Sequence, residues 1–154
     1  MPTVTHDDIV EALKSVISTA LATVEGAPAL EYDEPRLADP DQQGENRFRV
    51  VLMSTGRTPA RDQLATPPPF FVEASFALGL HGVGSDDASR RALMSDMTRA
   101  IDAAITADWS LGGVASFAQV TALESDTSKE TGVAPENLLD IAIEVEFDSL
   151  TRLG

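Results

Sequence analysis

The chain has 154 residues, 25 acidic and 11 basic, which leaves a formal charge of −14 with both histidines neutral. One ordinary domain of this size buries roughly 68–70% of the surface its extended chain exposes, and the lack of cysteine excludes a disulfide framework, a zinc-thiolate site and a thiol nucleophile. So negative a chain repels phosphate backbones and anionic membranes, which excludes a general basic nucleic-acid footprint and argues against a membrane partner.

The first eight residues lack the basic stretch and apolar run of a signal peptide, and no apolar stretch approaches the ~18 residues of a membrane span. These features predict a soluble protein made in a cytoplasm. Thr5 and Asp8 form a capping-box pair, and Ile9, Leu13, Val16, Ile17, Ala20, Leu21 and Val24 follow at helical spacing. Gly26 and Pro28 stop this helix. Within it, His6 reads as solvated among acids. Residues 29–32 make a short strand candidate before a polar stretch that reads as a loop.

Residues 46–54 alternate as a strand, with Phe48, Val50 and Leu52 on one face and Arg47, Arg49, Val51 and Met53 on the other. A proline-flanked loop carrying Arg57 and Arg61 is expected from 55 to 69, before a long strand over 70–80. His81, Gly82, Val83 and Gly84 read as a turn, with Ser85 capping a second helix. The apolar stripe of that helix is Leu93, Met97, Ile101, Ala104 and Ile105, which leaves Arg90, Arg91 and Arg99 toward water or a partner. Trp109 reads as a core plug before the Gly112-Gly113 break.

Two further strands are expected over 114–123 and 139–147, separated by a polar loop from 124 to 136. In the last, Leu139, Ile141, Ile143, Val145 and Phe147 alternate with Asp140, Ala142, Glu144, Glu146 and Asp148, giving one buried and one wet face. The whole predicts a single α+β domain over 1–154, a two-layer sandwich. Two helices pack on one face of a mostly antiparallel sheet of four to five strands, with long polar loops near 33–45, 55–69 and 124–136.

Few residue constellations carry chemistry. The Gly82-Val83-Gly84-Ser85 run precedes a helix, but Asp86 and Asp87 already occupy the positive end of its dipole and would repel a phosphate. His81, Ser85 and an aspartate are the residue types of a nucleophilic triad, yet Ser85 lacks the strained elbow such a serine needs. Glu144, Glu146 and Asp148 lie ~6.6 Å apart along one strand face, too spread to converge on an ion without another segment. An exposed sheet face explains them, with a subunit interface or acidic channel wall as the alternative. Arg57 and Arg61 suit docking on an acidic neighbour, with a solvated loop as the equal alternative. No cofactor or metal site is expected.

Taken in order, the segments resemble the tail terminators of long-tailed bacteriophages and related minor tail and head-tail joining proteins. The resemblance rests on five features: the opening helix with Ile9-Val10-Glu11-Ala12-Leu13, the long strand over 70–80, the helix with Asp96, Met97, Ile101 and Ile105, the phrase Ala107-Asp108-Trp109-Ser110-Leu111-Gly112-Gly113, and the closing strand over 139–147. The resemblance implies a structural virion protein with no catalytic residues, assembled in the host cytoplasm and resident at the head-tail junction. It implies a homohexameric ring on the finished tail tube, contacting the tube protein on one face and a head completion or stopper protein on the other. DNA passes through the lumen of such a ring without specific binding. Candidate contact residues are Arg57, Arg61, Arg90, Arg91, Arg99, Glu144, Glu146 and Asp148. The rival readings are another head-tail connector, such as a stopper or tube protein, and a small acidic enzyme using His81 with carboxylates.

Overall fold

A computed structural model of the chain describes residues 4–32, 47–59, 70–84, 86–128 and 136–149. The element order is α1 (His6–Ala22), β1 (Leu30–Tyr32), β2 (Arg47–Pro59), β3 (Phe70–Val83), α2 (Asp87–Ala107), β4 (Phe117–Ser128) and β5 (Glu136–Ser149). The strands form one five-stranded sheet in the order β1-β2-β3-β5-β4, with β1 parallel to β2 and every other pairing antiparallel. Both helices pack on one face, so the architecture is the expected α+β two-layer sandwich.

The period of each element places the core between the layers. Helix α1 buries Ile9, Leu13, Ile17 and Leu21, residues four apart on one face, and α2 buries Met94, Met97, Ile101 and Ile105. Beneath them lie Val72, Ala74, Phe76, Leu78 and Leu80 of β3 with Ile141, Ile143, Val145 and Phe147 of β5. Every second residue of these strands points at the helices, as strand geometry requires. The Thr5–Asp8 capping box is present: the Thr5 hydroxyl accepts from the Asp8 amide at 3.2 Å and the Asp8 carboxylate accepts from the Thr5 amide at 2.8 Å.

The buried stripe of α2 begins one turn earlier than expected, and it begins with a cation. Arg90 is fully buried, where a position off the stripe facing water or a partner was expected. The reason is its place four residues before Met94 and seven before Met97, on the same helical face. Its guanidinium Nη1 donates to the Gly84 carbonyl, so the charged end joins the close of β3 to the start of α2. The helix is capped by Asp86, whose carboxylate accepts from the Ser89 amide at 3.2 Å; Ser85 lies outside the described residues.

Strand lengths differ from expectation at three places. Strand β2 continues through Arg57 to Pro59 and stays paired with β3 past a register shift between Ser54 and Gly56, which breaks the simple alternation and made 55–59 resemble a loop. Residues 81–83 close strand β3 and are buried; they do not form a turn. Strand β4 starts at Phe117 and runs to Ser128, and β5 starts at Glu136, so both strands enter the expected 124–136 loop. The expected loops over 33–45 and 60–69 lie outside the described residues.

The α2–β4 connection buries a different residue from the one expected. Trp109 is 51% exposed, and Leu111 is the plug, buried in a left-handed conformation at φ 50°. Asp108 organises the turn, its Oδ1 accepting from the Gly112 amide at 3.0 Å and the Ser110 hydroxyl at 3.2 Å.

Gly82 allows a close approach between β3, α2 and β2. A Cβ there would sit 3.2 Å from Arg90 Cγ, 3.2 Å from Met94 Sδ and 3.2 Å from Phe48 Cδ1, so three side chains from two elements must retreat together. Gly82→Ala is expected to lower stability by about 1–3 kcal/mol. Chemical denaturation checks this, and an unchanged midpoint would mean that the Arg90 end of α2 yields freely.

Candidate functional site

On the face of the sheet turned away from the helices, strand register determines what gathers. Residues directly opposed in antiparallel strands point to the same side. Glu73 of β3 opposes Glu146 of β5, which opposes Phe117 of β4. One step along, Ser75 opposes Glu144, which opposes Gln119. Ala77, Ala142 and Ala122 follow, then Gly79, Asp140 and Glu124. Asp148 lies beyond, opposite Phe71.

Three strands thus join Glu144, Glu146 and Asp148, expected to share a wet face, with Glu73, Asp140 and Glu124. Asp140 shares the wet face expected of β5, whereas Glu73 and Glu124 carried no separate signal, because only the pairing of β3, β4 and β5 brings them in. Glu73–Glu146 and Glu124–Asp140 are like charges directly across, an arrangement that destabilises a sheet. Lost solvent first, then the charge of Glu144 and a hydrogen bond to it, raise the Glu73 carboxyl above its ordinary range.

The cations are distributed differently. Arg57 is exposed, but on β2 opposite Ala74 and not in a loop; Arg61 lies outside the described residues. Arg91 and Arg99 are exposed on α2, with Arg99 donating to Ser95 Oγ at 2.9 Å and 4.0 Å from Asp96. Arg90, being buried, is removed from the surface candidates. A further pair was missed in the sequence: Arg49 on β2 forms a two-pronged contact with Glu31 on β1, one prong Nη2–Oε1 at 3.0 Å. It ties the short edge strand to the sheet.

His81 is buried on β3, six strand positions from the residue opposite Glu144, or about 20 Å along the strand. His6 is buried too, contrary to the solvated reading. Its ring stacks on Phe76 at 5.5 Å between centroids, and its Nε2 is 3.3 Å from Ser54 Oγ. The two histidines therefore serve different ends of the fold. Among the described residues no group of three or more His, Asp or Glu side chains could hold a metal ion, and no helix is long and apolar enough to cross a membrane.

The helix layer carries an open trough where α1 and α2 run side by side, with Val16, Ala20, Ala100 and Ala104 among its lining residues and Asp108 at one side. At the head of β4, Trp109 and Phe117 form a tilted aromatic pair 6.3 Å apart, with Phe117 43% exposed. Among the described residues these features are spread over a face and an edge of the sheet and the helix layer.

Solved structures with this fold include a tube terminator. The sheath/tube terminator of an extracellular contractile injection system, PVC, in its extended state matches 96% of this chain at a TM-score of 0.51 and 15% identity. This chain spans 58% of that terminator's length. A second solved structure matches 93% of this chain and 96% of its own length, with a TM-score of 0.50 and 17% identity. At such identities the likeness is one of fold. No family model matches the sequence, and no curated protein matches it.

Two outcomes follow from the charges. Burial, then Arg57, lowers His6 below its ordinary value of 6.5, with Asp7 opposing. The stability His6 contributes is therefore complete above about pH 6.5 and is lost as the pH falls from there toward its folded-state value. Unfolding midpoints measured between pH 7 and pH 5 should fall more steeply for the natural chain than for His6→Gln. Glu73 acts in the opposite sense, since a raised carboxyl destabilises the fold most when ionised and that penalty is relieved on acidification toward its ordinary 4.5. Glu73→Gln is expected to raise neutral-pH stability by about 0.2–1 kcal/mol, and a lower thermal midpoint for that variant would refute the repulsion.

Proposed function

We propose that this chain is a tail-terminator subunit, a structural virion protein that forms a hexameric ring at the head-proximal end of a bacteriophage tail tube. The ring ends tube polymerisation and presents its other side to the protein that completes the head. The observation that carries this reading is the fold shared with a sheath/tube terminator along 96% of the chain. The order of sequence elements supports the same assignment.

The mechanism is geometric. One side of the ring matches the end of the tube, whereas the other does not match a further tube subunit, so addition stops. Joining copies head to tail is a heterologous contact that closes by rotation into a ring. Exposed cations at Arg57, Arg91 and Arg99, with Arg61, are suited to docking on acidic neighbours. A charge of −14 per subunit gives DNA passing through the lumen little to adhere to, and the carboxylate face of β3, β4 and β5 is suited to such a wall. No residue is assigned a catalytic role and no cofactor is required.

Negative-stain imaging of the purified chain mixed with tail tubes tests the reading. Rings on one end of each tube are expected, and particles lacking the chain should carry tubes of irregular length unattached to heads. Tails of normal length joined to heads in its absence would overturn the assignment. His81→Ala should leave particle assembly intact, which separates the ring from an enzyme that depends on His81. A chain found incorporated along the tube, or only on the head side of the joint, would instead identify a tube protein or a stopper.

A further inference from the structure

The helix layer carries three adjoining hollows between α1 and α2. The two helices run in opposite directions, so Thr23 shares one hollow with Ser89 and Ala92, and Asp8 shares another with Asp108. The middle hollow joins them, meeting the first at Thr23 and the other at Ser15, Val16 and Asp108. Together they form one trough along α1, a helix of 17 residues and about 25 Å. All of its lining residues are among the described ones.

The middle of the trough is lined by Val16, Ala20, Ala100, Ala103 and Ala104, and side chains this small leave room for the ridge of a third helix. Its ionisable lining residues are Asp8, Glu11, Glu25, Asp96 and Asp108, all of them acids. The cations of the two helices do not line it: Arg90 is buried, Lys14 lies 3.2 Å from Glu11, Arg99 lies 4.0 Å from Asp96, and Arg91 lines none of the hollows. The two exposed ion pairs hold their acids weakly. Asp8 accepts hydrogen bonds from the Thr5 amide and hydroxyl, and Asp108 from the Gly112 amide and the Ser110 hydroxyl, neutral groups that leave both negative charges in place.

We propose that this trough seats a basic amphipathic helix of a neighbouring protein, its apolar side on the alanines and its lysines or arginines along the acidic rims. An apolar floor receives the apolar stripe of a helix, and rims of one sign select flanks of the other. A second copy of the chain does not supply that helix. Both α1 and α2 bury their apolar stripes in their own core. Beyond that, α1 carries three acids against the single cation Lys14, and α2 carries three acids against three arginines, of which Arg90 is buried. The inference rests on the terminator reading for the source of the helix, a protein that meets the ring, and places that meeting on the helix layer.

The probe is a fluorescein-labelled peptide of about 18 residues, leucine and lysine patterned as one amphipathic helix, titrated with the full-length chain and followed by anisotropy. The titration is run at about 0.15 M salt, where long-range attraction to an acidic protein is screened. Glu11→Lys combined with Asp96→Lys, both exposed on the rims, should weaken binding about tenfold. Asp140→Lys combined with Glu146→Lys makes the same change of net charge on the sheet face and should leave Kd within about threefold. Ala103→Trp, at an exposed position, fills the trough without altering charge and should also cost about tenfold, with an unchanged circular dichroism spectrum. Replacing the leucines of the peptide by serine should do the same. Absence of binding, equal losses from the two charge pairs, or undiminished binding to Ala103→Trp overturns the proposal. Self-association of the chain alone that Ala103→Trp abolishes would seat a second copy in the trough and overturn it too. Rings that cap tubes yet bind no peptide would remove the trough contact and keep the terminator reading. Peptide binding by a chain that caps no tube would do the reverse.

Discussion

Two helices laid on a five-stranded sheet cover one face of it, and among the described residues the other properties of this protein are set by that geometry. Strands β2, β3, β4 and β5 run for 12 to 14 residues, long for a domain of this size, so the face turned away from the helices is extensive. The covered face reads Val72, Ala74, Phe76, Leu78, Leu80 along β3, an unbroken apolar alternation that pins the register. A slip of one residue would turn Glu73 and Ser75 inward, so the same pattern that builds the core also fixes which carboxylates meet outside.

Those carboxylates are not neutral for stability. Glu73 faces Glu146 and Glu124 faces Asp140 across adjacent strands, where opposite charges or aromatic pairs would hold the sheet together better. The fold carries this repulsion on its open face while placing a fully buried arginine, Arg90, at the seam between β3 and α2. An uncompensated buried guanidinium is strongly destabilising, and here the Gly84 carbonyl answers it. Charge is thus satisfied one contact at a time where the chain turns from sheet to helix, and left to repel where the sheet meets its surroundings.

Most of the architecture was legible from periodicity, and the exceptions have specific physical causes. The β5 alternation and the α1 stripe announced their buried faces because each is long and regular. The β2 extension was hidden by a register shift at Ser54 and Gly56, since alternation is the only signal a strand gives and a bulge interrupts it. Arg90 was misplaced because residue type was weighed above position, although it stands in phase with Met94, Met97 and Ile101. His6 was read from its acidic neighbours in sequence, whereas its packing partner Phe76 lies 70 residues away. Trp109 and Leu111 exchanged roles because the left-handed turn at Leu111 sets which side chain reaches inward. The acidic face was half visible: Glu144, Glu146 and Asp148 share one strand, but Glu73 joins them only through pairing.

The edges carry the argument one step further than the face. An acidic face can remain largely solvated, with Glu73 the carboxylate that loses water. An edge cannot be left in that state so easily. Residues 117–123 of β4 are an uncharged window that pairs, among the described residues, only with β5. Such a window invites any extended chain, and soluble proteins normally block it with lysine, proline or a covering loop. In β4 the acids sit at one end only, and a register shift between Val120 and Ala122 interrupts the window. Retaining such an edge is reasonable when a defined neighbour occupies it.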